Sequence, residues 1–228
     1  MPTRPRSISQ IVNEQVKKWE LGHRTPLQQA NKPIITISRQ PGSKGRRVAG
    51  LLADRYNLDL YSSNIITEVA KLSNMSQRVV ETLDERGRSI VDDIFAEVAR
   101  HSHMATDDFL KHLVQIIGTI GGHGHAVIIG RGASFILPGE ETLMLRIVEP
   151  RSMRIRNVMK EFDLSREDAE KRISRAEVDR RQFIHKYFSA DINDPINYDM
   201  VLNMRHLTLD SAVELIREAW QQKFRAML

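Results

Sequence analysis

Apolar side chains recur along the chain in five short runs that are rich in β-branched residues. The runs are PIITIS (33–38), NLDLYS (57–62), HAVIIG (125–130), TLMLRIV (142–148) and YDMVLN (198–203). Stretches with helical periodicity separate them, and this alternation is typical of a mostly parallel sheet with helices on both faces. The pattern therefore predicts an α/β fold, a three-layer doubly wound parallel sheet of about five strands.

Two connections between the predicted strands are longer than a simple crossover requires. Residues 63–118 are amphipathic and helical throughout, and residues 151–190 are helical and densely charged. We expect both to be inserts on one α/β domain that spans residues 33–228. Residues 1–32 form a separate N-terminal segment, in which an amphipathic helix at 7–22 precedes a linker. Its apolar face comprises Ile8, Ile11, Val12, Val16 and Trp19.

Composition narrows the function classes. The chain of 228 residues has no cysteine, which excludes thiolate metal sites and a cysteine nucleophile. No membrane span or signal-peptide pattern is present in the sequence, so we expect a cytoplasmic protein. The net charge of +5 favours anionic partners, and residues 33–47 carry four basic and no acidic side chains. Aromatic residues make up only 6% of the chain, which argues against a stacking platform for nucleic acid.

A basic, glycine-containing loop follows the first predicted strand and leads into a helix. A strand, a tight glycine turn and a helix N-terminus form an anion site because free backbone N–H groups and the helix dipole converge there. The alternative is a basic turn in solvent at a strand end. The candidate phosphate-binding residues are Ser38, Arg39, Gly42, Ser43, Lys44, Gly45, Arg46 and Arg47.

The stretch ITISRQPGSKGRRVAGLLA (35–53) resembles the opening of the cytidylate kinases, and more closely the cytidylate kinase-like family with its altered loop. In an ungapped alignment the loop lysine of the kinases falls on Gly45, and their small and hydroxyl positions fall on Arg46 and Arg47. In an active enzyme, one of Arg39, Lys44, Arg46 or Arg47 must then supply the charge of that lysine.

The resemblance continues to about residue 220. AVIIGRGASFIL (126–137) is similar to the kinase strand whose following arginine faces the acceptor phosphate, so Arg131 is its counterpart, with Gly132 in place of an acidic residue. The segment LYSSNIITEVA (60–70) takes the place of the acceptor-binding segment, with Tyr61, Ser62 and Ser63 as candidate contacts. The resemblance implies a P-loop kinase-like fold with an acceptor-binding insert at 63–118.

Residues 151–190 resemble the lid of nucleoside monophosphate kinases. The candidate lid residues are Arg172, Arg175, Asp179, Arg180 and Arg181, and three of them lie on one predicted helical face, where Asp179 would pair with an arginine. The alternative is a solvated helix with surface ion pairs. Phosphoryl transfer requires positive charge near the phosphates, and the candidate catalytic residues are Lys44, Arg46, Arg47, Arg175 and Arg181.

Two function hypotheses remain open from the sequence. The first is an ATP-dependent kinase for a nucleoside monophosphate or another small phosphorylated acceptor, with Mg²⁺ carried by the ATP. The second is a regulatory protein that binds nucleotides or anions without transfer. The histidines of HSH (101–103) and GGHGH (121–125) lack the spacing of a metal site, and the glycines of 118–124 predict a turn. The N-terminal helix packs either on its own core or on a second subunit as a homodimer.

Overall fold

The fold is that of a computed structural model, which describes residues 8–22, 34–71, 73–101 and 107–225. The linker predicted at 23–32 lies outside the described residues. No helix in these ranges is long and apolar enough to cross a membrane.

All five predicted strands are confirmed, and they form one parallel sheet. The strands are β1 (Ile34–Arg39), β2 (Asp59–Tyr61), β3 (Ala126–Ile129), β4 (Leu143–Val148) and β5 (Met200–Asn203). Their order in the sheet is β2-β3-β1-β4-β5, so β1 lies in the centre between β3 and β4. Because neighbouring parallel strands end at the same edge, the carboxyl ends of these three strands together frame one crevice.

Ten helices connect or flank these strands within the described ranges. They are α1 (Ile8–Gly22), α2 (Gly45–Tyr56), α3 (Ser63–Ala70), α4 (Ser73–Val80), α5 (Glu85–His101), α6 (Asp108–His123), α7 (Ala133–Ile136), α8 (Arg151–Phe162), α9 (Arg166–Phe188) and α10 (Leu209–Arg225), with a 3₁₀ turn at Pro195–Asn197.

Helices cover both faces of the sheet. One apolar cluster joins β1, β3 and β4 to α2 and α10 through residues such as Val48, Leu52 and Val213. The other cluster joins the opposite face to α3, α6 and α7 through Ile128, Leu113 and Ile136. The two clusters confirm the three-layer doubly wound α/β prediction, because each face of a parallel sheet must be covered by apolar side chains.

The insert between β2 and β3 consists of α3 to α6. The glycine turn predicted just before β3 is wrong for most of its length, because α6 continues to His123. A Cβ on Gly118 would lie 3.1 Å from Val91 of α5, and one on Gly121 would lie 2.6 Å from Leu137. These glycines therefore allow close helix packing, and only Gly124, at φ +70°, forms the turn.

The charged insert after β4 is a pair of helices, α8 and α9. Ser165 is the N-cap of α9, where its hydroxyl accepts a hydrogen bond from the backbone N–H of Asp168. A small apolar core of Ile155, Val158 and Ile173 holds the two helices together.

The N-terminal helix α1 packs on the same chain. Val12, Val16 and Trp19 are buried in the cluster that contains α3, α4 and α6, and the Trp19 ring stacks on His123 at 4.3 Å. Lys18 pairs with Asp59 on the edge strand β2 at 2.5 Å. Val12, Val16 and Trp19 of α1 are thus covered within one chain, whereas the part of α1 in a homodimer remains a prediction.

Candidate active site

Residues 40–44 form a tight turn between β1 and α2. Gly42 has a φ of +77°, and a Cβ there would lie 2.6 Å from the carbonyl oxygen of Arg154, so only glycine fits. The hydroxyl of Ser43 donates to the carbonyl of Gln40 at 2.9 Å and stabilises the turn. No side chain caps the start of α2, whose first N–H groups have no acceptor within the helix. This geometry suits a bound anion.

Lys44 is engaged in a buried ion pair. Its Nζ lies 2.6 Å from Oε1 of Glu149, whose side chain is fully buried. The side-chain amide of Asn157 donates to the other oxygen of Glu149 at 2.7 Å and to the carbonyl of Gly42 at 2.8 Å. These contacts fix the loop in place and neutralise Lys44, so a role of Lys44 in charge stabilisation stays a prediction.

The absence of a lysine at position 45, where related loops carry one, has a steric explanation. A Cβ on Gly45 would lie 2.7 Å from the Cβ of Arg39, a separation that real atoms do not adopt. The stem of Arg39 therefore occupies the space next to Gly45, and its guanidinium extends to Gly130 and donates to the hydroxyl of Ser63 at 3.3 Å. Arginine at 39 and a lysine at 45 exclude each other in this backbone.

Five arginines surround the crevice, and none of them makes an ion pair with a carboxylate in the ranges that the structure describes. They are Arg39, Arg46, Arg131, Arg146 and Arg180. Burial and the charges of the four neighbours lower the pKa of Arg39 to about 9. Burial and like-charge repulsion also lower the pKa of Arg180 to about 10. Crowded cations that make no ion pair are costly, and a bound polyanion would reduce that cost.

Arg146 belongs to this cluster, although the sequence analysis did not single it out. It is 5% exposed, in the middle of β4. Its guanidinium donates to the hydroxyl of Ser38 at 2.7 Å and to the amide oxygen of Asn193 at 3.0 Å, and it lies over the ring of Tyr198. A charged residue inside the apolar run TLMLRIV was the available signal, because a central strand rarely buries an arginine without a reason.

Two cavities meet at this cluster. The larger, of about 1010 Å³, lies between the loop and the two insert helices. The smaller, of about 290 Å³, lies between the ends of β1 and β3 and helix α9. Arg39 and Arg180 line both, and Arg180 donates to the carbonyl of Arg39 at 2.7 Å. Asp179 lines both cavities as well, so the shared wall carries two cations and one carboxylate and is cationic on balance.

Arg131 lies at the carboxyl end of β3, in the wall of the smaller cavity. Its backbone adopts φ +54°, its Nε donates to the carbonyl of Ser63 at 3.3 Å, and its guanidinium lies over the Phe183 ring at 5.4 Å. The ring of Phe188 fills the space that a Cβ on Gly132 would need. An acidic side chain at position 132 is thus incompatible with this packing.

Of the three candidate acceptor contacts at residues 61–63, only Ser63 lies at the crevice. Ser63 and Arg131 line the smaller cavity, but Tyr61 lies against Trp19 in a separate groove next to α1. Burial raises the pKa of the Tyr61 hydroxyl. Ser62 is the residue before α3 and lines none of the cavities described here. The structure does not bring Tyr61 to the crevice because β2 is the edge strand on the side that α1 covers.

The predicted lid residues divide between two faces of α9. Arg172, Arg175 and Asp179 line the larger cavity, as their spacing predicts, whereas Arg181 is exposed beside a third, small cavity. The expected ion pair of Asp179 with an arginine is absent from the described part of the chain. Glu177 instead pairs with Arg154 of α8 at 2.7 Å, because it faces α8 and Asp179 faces the crevice.

Comparison with known proteins identifies relatives that match most of the α/β domain. The family model described as the cytidylate kinase-like family matches residues 34–206. A cytidylate kinase of Staphylothermus marinus is 24% identical over 187 residues, which cover 81% of this chain and 94% of that protein. A cytidylate kinase of Pyrococcus horikoshii is 24% identical over 190 residues, 83% of this chain and 88% of that protein. The crystal structure of an uncharacterized protein from Eubacterium ventriosum superimposes with a TM-score of 0.58 at 21% identity, covering 83% of this chain and 98% of that one.

Proposed function

Since the chain belongs to the cytidylate kinase-like family, we propose that it transfers the γ-phosphoryl group of ATP to a nucleoside monophosphate, with CMP as the first candidate acceptor. The observation that carries the proposal is the cationic wall of Arg39 and Arg180 between two cavities of different size. A two-substrate phosphotransferase needs two adjoining sites with positive charge where they meet.

ATP occupies the larger cavity in this proposal. Its phosphates lie against the N-terminus of α2, where the turn at Gly42 and the uncapped N–H groups favour an anion. Arg46 at the start of α2 and Arg175 on α9 line the same cavity and add positive charge. Exclusion of water by α9 strengthens these interactions during transfer.

The acceptor occupies the smaller cavity, with its phosphate held by Arg131. An arginine at a strand end can bind a phosphate through two parallel hydrogen bonds. An oxygen of the acceptor phosphate attacks the γ-phosphorus, the bond between that phosphorus and the bridging oxygen of ADP breaks, and ADP and a nucleoside diphosphate leave. The acceptor phosphate is the nucleophile, so the step needs charge neutralisation more than a general base.

Arg39 replaces the missing loop lysine in this scheme. Lys44 is neutralised by Glu149, whereas Arg39 makes no ion pair with any carboxylate of the described residues and lines both cavities. Arg46 and Arg47 remain exposed at the start of α2. Substituting each of them and measuring ADP production tests whether they contribute to transfer.

The residues of this chain do not fit a protein-held metal ion. Arg47 occupies the position at which related loops carry a hydroxyl, Glu149 is paired with Lys44, and the described residues hold no group of three or more acidic or histidine side chains suited to a metal. Mg²⁺ therefore enters with ATP in this proposal.

A second candidate function is nucleotide or anion binding without transfer. The neutralised Lys44 and the absence of space for an acid at position 132 favour it. The two functions differ in turnover but not in binding.

The test is ADP production from ATP and Mg²⁺ with a panel of nucleoside monophosphates, in parallel with thermal stabilisation by ATP. We expect turnover that depends on one or a few acceptors, and a loss of at least about 10²-fold when Arg39 is replaced by methionine, the scale of losing an important transition-state contact. Stabilisation by ATP without any acceptor-dependent turnover would favour the binding protein.

A further inference from the structure

Phe162 is an exposed aromatic residue on the wall of the larger cavity. It is the last residue of α8 and 43% exposed, although an aromatic side chain of this size is usually well covered. The guanidinium of Arg172 on α9 lies over its ring at 4.0 Å from the centroid. Both residues line the cavity that the loop Gly42–Arg47 bounds on another side.

The exposure of Phe162 is not a consequence of packing between α8 and α9. Their apolar core consists of Ile155, Val158, Ala169 and Ile173, with Met159 and Leu164 at its edge, and Phe162 lies outside it. Val158, one turn before Phe162, packs on Gly42 of the loop. The ring therefore lies on the cavity side of α8, next to the helix surface that supports the loop.

We propose that the purine base of the donor nucleotide stacks on the pair formed by Phe162 and Arg172. The proposal rests on the proposed function, because it places ATP in the larger cavity. The loop and the arginines provide for the phosphates, and the base needs a planar and largely apolar surface. A phenyl ring covered by a planar guanidinium is such a surface, because both groups stack on aromatic systems.

The chemistry of the pair also explains why these two residue types stand together. The guanidinium over the Phe162 ring is drawn to its negative face, which holds Arg172 on the inner wall of the cavity. A base that stacks on the pair exchanges exposed aromatic surface for contact without removing a hydrogen bond. Lid helices α8 and α9 each contribute one partner, so the bound base would bridge them.

The test compares two ligands that differ in the base. Calorimetry measures the dissociation constants of ATP and of inorganic tripolyphosphate for the wild type, Phe162→Ala and Phe162→Trp. We expect Phe162→Ala to weaken ATP binding about 10-fold or more, the range of one aromatic stacking contact, and to leave tripolyphosphate binding within about 2-fold. Phe162→Trp restores ATP binding. The matched control is Val178→Ala, which truncates an apolar residue of the neighbouring helix α9 that is 46% exposed and lines none of the three cavities.

An equal loss of ATP and tripolyphosphate binding in Phe162→Ala would overturn the proposal, because it would show that the residue only shapes the lid. Unchanged ATP binding would overturn it as well. Neither result affects the proposed transfer, which acceptor-dependent ADP production by the wild type establishes separately. If Phe162→Ala loses ATP binding but keeps tripolyphosphate binding, and the wild type shows no turnover, the stacking site is supported and the proposed kinase activity is contradicted.

Discussion

Replacing Arg39 by methionine should stabilise the ligand-free protein while it weakens anion binding. Methionine keeps an unbranched stem against Gly45 and removes the charge that opposes the other four arginines. Truncating a side chain that stabilises the fold lowers the stability of the protein. Truncating a side chain that is retained for ligand binding among like charges raises it.

The magnitude follows from the burial and repulsion at Arg39. Lowering its pKa from 12.5 to about 9 corresponds to at most ~5 kcal/mol, at about 1.4 kcal/mol per pKa unit. Arg39 retains partial exposure, and solvent screening reduces this to about 1–2 kcal/mol. Loss of the 3.3 Å hydrogen bond to Ser63 offsets part of the gain, by less than about 1 kcal/mol. A net gain of about 1 kcal/mol raises the Tm by roughly 2–4 °C for a chain of this size.

The direction of the pKa shift of Arg39 determines how this stability change depends on pH. A cation whose pKa is lowered on folding destabilises the fold fully below its folded pKa, about 9 for Arg39, and this cost disappears as the pH rises toward the unfolded value. The gain is therefore measured at neutral pH, by scanning calorimetry in a buffer without phosphate, and again with ATP.

The control is Arg55→Met, since Arg55 pairs with both Asp210 and Glu214 and lies far along α2 from the loop. This variant should show a Tm equal to or below that of the wild type and full stabilisation by ATP. If Arg39→Met lowers the Tm of the ligand-free protein and keeps the ATP-dependent shift, Arg39 is a structural residue and the charge argument is refuted.

Three further predictions concern the loop, the acceptor site and the lid. Lys44→Met leaves the buried Glu149 without its cation and should lower the free energy of unfolding by about 3–5 kcal/mol in chemical denaturation. Adding Glu149→Gln should recover most of the loss, and a loss below about 1 kcal/mol in the single variant would contradict the buried pair. Arg131→Lys should weaken acceptor binding about 10-fold in calorimetry, because lysine cannot donate two parallel hydrogen bonds. ATP binding and the Tm should stay unchanged, and a lower Tm with normal acceptor binding would show that Arg131 is structural. Ser165→Ala removes the cap of α9 and should cost about 1 kcal/mol, seen as a Tm loss of roughly 2–4 °C, and an unchanged Tm would show that the cap contributes nothing.

The sheet and its helical layers could be predicted from the sequence because their signal is local. Runs such as HAVIIG combine β-branched residues with turn residues at their ends, and the helix after the loop shows a clear apolar face. The glycines at 118 and 121 were misassigned for a physical reason. Glycine marks a turn only when its φ demands it, and here it marks a close approach of neighbouring helices or loops, which depends on tertiary packing.

The site was predictable only where a motif places residues at strand ends. The loop and Arg131 follow β1 and β3 directly, and the structure brings them to one crevice. The partners of Lys44 and Ser38 were not predictable, because Glu149 follows β4 and Arg146 lies in β4, more than 100 residues later in the chain. Tyr61 illustrates the opposite case, in which a residue near a motif is turned away by an element, α1, that the motif does not include.

The most direct test of the proposed transfer follows the γ-phosphoryl group itself. ATP radiolabelled at the γ-phosphorus is mixed with the wild-type protein, Mg²⁺ and each nucleoside monophosphate in turn, and the products are separated by chromatography. The account predicts label in a nucleoside diphosphate, with CMP as the first candidate acceptor, and slower labelling by the Arg39→Met and Arg131→Lys variants. Label that stays in ATP, or that appears only as inorganic phosphate with every acceptor, would contradict the proposal that these two cavities serve phosphoryl transfer.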